Sequence, residues 1–256
     1  MMKKLRNITY KRDRIYPFVG LGGLICFWHI LCVSGIAPDF ALPTPVAVLT
    51  ALVKSFPLLM FHARVTLLTA LAGLTAAVAL AFAVAVAMDW FVALRKMLYP
   101  LLIVTQTVPV VAVAPLLVLW FGYGMTPKII LIVIVCFFPL SVGLLDAFQD
   151  VDKDVVNLLR AMGADRKRTF IHAKLPLALP AFFAGLKIAV SYAVVGAVIA
   201  EWLGGDSGLG VYMTRVRRSF AYDQLFAVIL LISAVSIGLV WLVKQLEKVA
   251  MPWKNF

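Results

Sequence analysis

Acid is scarce in this sequence. Its 256 residues carry 12 Asp and Glu against 24 Lys and Arg, and Glu201 and Glu247 are the only glutamates. Charged residues of both signs make up 14% of the chain, where a soluble domain has roughly a quarter. That scarcity excludes a soluble domain of useful size. Histidine is scarce too. His29, His62 and His172 are scattered, so no Ser–His–Asp arrangement and no metal-ligand spacing can be drawn from them. The three cysteines, Cys26, Cys32 and Cys136, lie in apolar runs without redox or metal spacing, and are expected to be small packing residues without a disulfide. No G-x-x-x-x-G-K-[ST] phosphate loop is present. A chain with neither that loop nor room for a nucleotide-binding domain does not hydrolyse ATP by itself.

What the chain has is apolar sequence: 63% of it is hydrophobic. A bilayer core takes roughly 20 apolar residues in helical form, because an open strand leaves backbone groups unpaired in lipid. The segments that qualify or come close are 17–36, 65–88, 97–121, 129–145, 175–200 and 224–243, about six spans. The fourth is short, and Pro139 and Gly143 make an irregular helix the expectation there. The basic stretch Met1–Arg14 is too long and polar to head a signal peptide, and no small-x-small cleavage site follows. The first span is therefore expected to be uncleaved.

The net charge of +12 fits the positive-inside rule. With the N-terminus in the cytoplasm, the inside segments are 1–16, 89–98, 150–174 and the C-terminal tail, and they hold most of the Lys and Arg. The outside segments hold Lys54, Arg64, Lys128, Arg215, Arg217 and Arg218. Both termini are expected to be cytoplasmic, with the 215–218 cluster running against the rule. Arg166, Lys167 and Arg168 form too small a patch, without interleaved aromatics, for nucleic acid. They fit anionic lipid headgroups or a partner protein.

Two outside stretches are expected to be structured. Pro45, Val46, Val48, Leu49, Leu52 and Val53 would form one apolar face of a short interfacial helix. The glycine-rich turn 204–210 leads to a segment carrying Tyr212, Met213, Val216 and Phe220. Span two is dense in small residues from Ala70 to Ala87, which predicts tight helix packing. Span three carries Gln106, Pro109 and Pro115 and is expected to be one kinked helix, lining a pathway or kinked only for packing.

The loop 150–174 is the most informative segment. Val155, Leu158, Leu159 and Met162 fall on one helical face, Gly163 is a natural helix end, and Asp165 would open a second short helix. Pro176 would then start the next span. A helix, glycine turn and helix of this kind suit docking into a partner's groove.

This loop resembles the E-A-A-x-x-x-G-x9-I-x-L-P segment of binding-protein-dependent ABC importer permeases. Gly163, Leu175 and Pro176 match in register, while Asn157, Leu158, Leu159 and Ala173 stand where E, A, A and I would be. The stretches 42–49, 106–122 and Ala200-Glu-Trp-Leu-Gly-Gly resemble the nitrate, sulfonate and taurine branch, which includes transporters for the thiamine pyrimidine precursor. The resemblance implies an all-α membrane protein like the type I importer permeases, with a single permease domain at 17–256 behind the basic segment 1–16. It implies no enzyme activity and no cofactor in this chain, with ATP and magnesium in a partner. The implied partners are a second copy of the chain, two ATPase subunits and an extracytoplasmic solute-binding protein. ATPase coupling would fall to Asn157, Leu158, Leu159, Ala161, Gly163, Ala164, Arg166, Leu175 and Pro176. The substrate would be a small organic solute, with a lean to a thiamine pyrimidine precursor over sulfonate, taurine, nitrate or riboflavin.

Candidates for the translocation path are Gln106, Pro109, Lys187, Glu201 and Trp202. Gln106 would bond substrate or a neighbouring helix. Lys187 is a charge in the path, or a snorkelling or subunit-pairing side chain. Glu201 is a gating or contact carboxylate, or a solvated residue at the membrane edge with Trp202 as a belt aromatic. His29 is expected to be a packed histidine, and His62 a loop or interface residue. His172 is expected to contact a partner or lipid headgroups. The competing reading is a self-powered secondary transporter or channel, against which stands the lack of an inverted repeat or a chain of buried acids.

Overall fold

The computed structural model describes residues 16–35 and 41–255. The basic segment expected at 1–16 lies outside these residues, save Tyr16. All regular structure among the described residues is helical: α1 Tyr16–Val33, α2 Pro45–Lys54, α3 Phe56–Trp90, α4 Val92–Thr105, α5 Val110–Phe121, α6 Met125–Gln149, α7 Lys153–Ala161, α8 Arg166–Thr169, α9 Leu175–Leu203, α10 Leu209–Arg218 and α11 Tyr222–Ala250. A π turn, Phe170–Lys174, joins α8 to α9, and a short 3-10 turn, Pro252–Asn255, follows α11. Among the described residues, four helices are long and apolar enough to cross a membrane: α3, α6, the continuous Arg166–Leu203 rod and α11. The pair α4 and α5 makes a fifth if counted as one broken span.

The chain forms two compact units. The first comprises Met1–Leu59 and Arg215–Leu230. Here Thr44 caps α2 by accepting from Ala47 N at 3.2 Å, with Pro45 in the first turn where its missing donor costs nothing. Val48 and Ala51 of α2 are buried with Ala227, and Trp28 stacks on Phe226 with centroids 5.9 Å apart. Of the apolar residues on α2, Val46, Leu49 and Val53 are exposed. Cys26 is exposed as well, whereas Cys32 is buried.

The second unit comprises Met60–Thr214 and Leu231–Phe256. Helix α6 lies along α9. Gly196 permits that closeness, since an added Cβ would lie 3.2 Å from Val135 Cγ2. The small residues of α3 form the expected packing stripe. Ala70, Ala77 and Ala81 are buried in one cluster with Ile132, Cys136, Leu140, Ala189, Ala193 and Ala197.

Three sequence expectations need correction. Span three is not one kinked helix, because α4 and α5 meet at 102° across the break at 106–109. Pro109 explains its position: it offers no donor to continue α4, and it restricts Val108 to extended backbone. Span four is neither short nor interrupted, since α6 runs through Pro139 as a 25-residue helix. Nor does Pro176 start a separate span. The helix is continuous from Arg166, and the π turn one turn before Pro176 absorbs the bond that this proline cannot make.

Candidate functional site

The segment after α6 folds locally for reasons visible in its residues. Asp152 caps α7 by accepting from Asp154 N at 2.8 Å. The helix ends where Gly163 takes φ of +86°, with Gly163 N donating to Arg160 O and Ala164 N to Leu159 O, both at 2.9 Å. Asp165 then caps α8, accepting from Arg168 N at 2.7 Å. Of the apolar ridge on α7, Leu158 is 62% and Met162 75% exposed, so these two side chains are largely uncovered by the described residues. Asn157, Ala161 and Arg166 are exposed, Leu159 and Ala164 half-buried, and Leu175 and Pro176 half-buried at the head of α9.

Two cations fasten this segment to the end of α3, where helix carbonyls lack partners and the dipole is negative. Arg166 Nη2 donates to Trp90 O at 2.6 Å and Asp89 O at 3.1 Å, and its guanidinium stacks 5.5 Å over the Trp90 ring. Lys174 Nζ lies 2.6 Å from Asp89 Oδ1. Trp90 meets Phe170 edge-on, and Phe170 meets the fully buried Phe148. Sequence reading missed Asp89 and Trp90. Their one signal is an acid and an aromatic closing a long apolar run, and their partners lie more than 75 residues away.

The break between α4 and α5 borders a groove of about 250 Å³. Thr105 and Gln106 line it with Val108, Ile134, Tyr192 and Ile199, and among the described residues none of its lining side chains is charged. Pro109 stands between the lining residues Val108 and Val110 as the N-cap of α5. Lys187 and Glu201 do not line this groove. Lys187 Nζ lies 2.7 Å from Glu247 Oε2 of the same chain.

Glu201 is 1% exposed and is not a solvated edge residue, while its neighbour Trp202 is 44% exposed. Glu201 Oε2 accepts from Gly210 N at 2.8 Å and from the Thr66 hydroxyl at 3.0 Å. Thr66 Oγ1 accepts from Leu209 N at 2.8 Å, and His62 Nδ1 accepts from Gly208 N at 3.0 Å. These three acceptors satisfy successive amides at the start of α10 and hold the glycine-rich turn against α3 and α9. The approach is close enough to require glycine, since a Cβ at Gly210 would strike the Val198 carbonyl oxygen. His62 is 3% exposed and central to this cluster, not the loop or interface residue expected. Nothing in its neighbouring sequence announces a partner 146 residues away.

Among the described residues, no group of three or more His, Cys, Asp or Glu is placed to hold a metal ion.

The family model described as binding-protein-dependent transport system inner membrane component matches residues 73–249. A probable ABC transporter permease protein of Haemophilus influenzae is 35% identical over 223 residues, 87% of this chain and 91% of that protein. The formylaminopyrimidine transport permease protein ThiX of Halalkalibacterium halodurans is 34% identical over 233 residues, 91% of this chain and 93% of that protein. Among solved structures, the crystal structure of an amino acid ABC transporter with histidines matches with a TM-score of 0.60 at 16% identity, covering 77% of this chain and 94% of that one. At that identity the likeness concerns the fold.

Proposed function

This chain belongs to the binding-protein-dependent transport system inner membrane component family, the permeases of ABC importers, and from that premise we propose that it forms the import path for a small neutral heterocycle, with a thiamine pyrimidine precursor as the leading substrate. The chain is a multi-pass inner-membrane permease and not an enzyme, and ATP hydrolysis belongs to a separate ATPase subunit. Family membership implies that ATPase and a solute-binding protein as partners.

One observation carries the substrate reading. The groove at the α4–α5 break has aliphatic walls, the Gln106 amide, the Thr105 hydroxyl and the Tyr192 ring, and it presents no cation. A sulfonate, taurine or nitrate group would be desolvated there without a counter-charge, at a cost of several kcal/mol. A neutral aminopyrimidine fits apolar walls with a few hydrogen-bonding groups. The relative named for formylaminopyrimidine transport supports the same reading.

In this proposal α1 serves as a further span, giving six, with both termini cytoplasmic. Two copies of the chain enclose the path. The 150–174 segment lies on the cytoplasmic side, with the exposed Leu158 and Met162 set into a groove of the ATPase. The glycine-rich turn held by Glu201 lies on the outer side. ATP binding closes the ATPase pair, and the segment carries that motion to the spans as a two-state element biased by a ligand.

The test is uptake by cells carrying the complete importer. Labelled aminopyrimidine is expected to accumulate and to resist competition by excess taurine or nitrate. Gln106→Ala is expected to raise the KM for transport. Uptake of taurine or nitrate in place of the pyrimidine overturns the substrate reading.

A further inference from the structure

Four membrane-helix ends and α7 border one cleft of about 480 Å³, a size within the ordinary range for ligand sites. The end of α3 supplies Asp89, the start of α4 Arg95, the end of α6 Gln149, and the π turn before α9 Lys174. Helix α7 adds Lys153 and Arg160. Lys174 is matched to Asp89 at 2.6 Å. Arg95, Lys153 and Arg160 have no side-chain ion pair or hydrogen bond among the described residues.

The neighbouring acids do not balance these charges. Asp152 and Asp165 are turned to helix caps, and Asp150 and Asp154 do not line the cleft. Asp146 lines an adjoining cavity together with Arg95 and Lys96, one acid among two cations. A cationic excess therefore remains at the level where several spanning helices end. That level is where phospholipid phosphates lie, and a basic pocket between membrane helices recognises anionic headgroups. Asn157, a residue expected to couple to the ATPase, lines the cleft, whereas the exposed ridge residues Leu158 and Met162 do not, so filling it leaves that ridge free for a protein partner.

We infer that this cleft binds the phosphate headgroup of an anionic phospholipid, which anchors α7 to the ends of α3 and α4; the inference rests on the proposed placement of 150–174 at the cytoplasmic face. The lipid neutralises Arg95, Lys153 and Arg160 together and sets the angle at which α7 meets its partner.

Native mass spectrometry of the purified full chain, titrated with phosphatidylglycerol and with phosphatidylcholine, tests this. The chain is expected to retain phosphatidylglycerol in preference, and Arg95→Gln/Lys153→Gln/Arg160→Gln is expected to weaken that binding about tenfold or more. Arg215→Gln/Arg217→Gln/Arg218→Gln removes equal charge elsewhere and is expected to keep it. Lys153→Arg/Arg160→Lys, which conserves the charge, is expected to keep it too. Equal retention of both lipids, equal loss in both triple variants, or complete displacement by inorganic phosphate overturns the inference. So does a cleft variant that keeps phosphatidylglycerol but loses the ATPase on co-purification, since the occupant is then protein. The placement is read separately, from labelling of Asn157→Cys by a membrane-impermeant maleimide in a chain with Cys26, Cys32 and Cys136 replaced. Labelling in intact cells contradicts the placement whatever the lipid result.

Discussion

Arg166 donates to the main-chain carbonyl of Trp90 at 2.6 Å, fastening the first turn of α8 to the last turn of α3. Because α8 runs through the π turn into α9 as one rod ending at Leu203, the 150–174 segment is tied to two spanning helices, and in the proposed mechanism both receive its displacement. Arg166→Ala is expected to leave the permease inserted and ATPase-bound but to lower uptake severalfold per ATP hydrolysed. The hydrogen bonds removed are exposed and worth about 1–2 kcal/mol together. Arg166→Lys, a point charge that cannot bridge two carbonyls as a planar fork does, is expected to restore only part of the coupling. The check is the ratio of uptake to ATP hydrolysis in the assembled importer.

Gly163 stands at φ of +86° with open space where a side chain would be, so substitution there is limited by backbone strain alone. Asn visits this region readily and other L-residues pay about 1–2 kcal/mol. Uptake is expected to fall in the order Gly, Asn, Ala, Val. Gly163→Glu is expected to uncouple transport while the chain still inserts. Undiminished uptake and ATPase co-purification in Gly163→Glu contradict the assignment of this loop.

Glu201 holds the glycine-rich turn through buried bonds, so its removal is a stability change before it is a transport change. Glu201→Ala leaves Gly210 N without its acceptor, while the Thr66 hydroxyl keeps the His62 carbonyl at 3.2 Å, and is expected to cost about 1–3 kcal/mol. Glu201→Gln keeps an acceptor oxygen and is expected to cost less. Gly210→Ala, whose Cβ meets the Val198 backbone, is expected to be the most damaging of the three. Thermal melting of the purified permease ranks them.

Lys187 and Glu247 form a partly buried pair within one chain. Removing one partner of such a pair costs more than removing both. Lys187→Met is expected to lower the melting temperature more than Lys187→Met/Glu247→Gln does, with uptake recovering in the double variant. Uptake lost equally in both variants, at unchanged melting temperature, instead places Lys187 in the path.

Local features were legible in the sequence, and long-range ones were not. The α7–Gly163–α8 arrangement followed from an amphipathic run, a glycine and an aspartate within about fifteen residues. The tight packing of α3 followed from the density of small residues between Ala70 and Ala87. The break at 106–109 was read as a kink because a proline in an apolar run signals disruption without its angle. The helix through Pro176 was cut short because a π turn has no sequence signature. Helix α3 runs Phe56–Trp90, well beyond the apolar segment 65–88, since a helix is not bound to end where its most apolar window ends. The roles of His62, Thr66, Asp89 and Trp90 depend on contacts 76 to 146 residues apart, which composition and periodicity do not carry.

The central claim is that this chain supplies a path and a lever while a partner supplies the energy. Uptake in proteoliposomes containing the permease, its ATPase and the substrate-loaded binding protein tests it most directly, with and without ATP and against the permease alone. Accumulation is expected only when all components and ATP are present, and is expected to be lost when the ATPase's phosphate-loop lysine is replaced. Accumulation by this chain alone, driven by an ion gradient and indifferent to ATP, would contradict it.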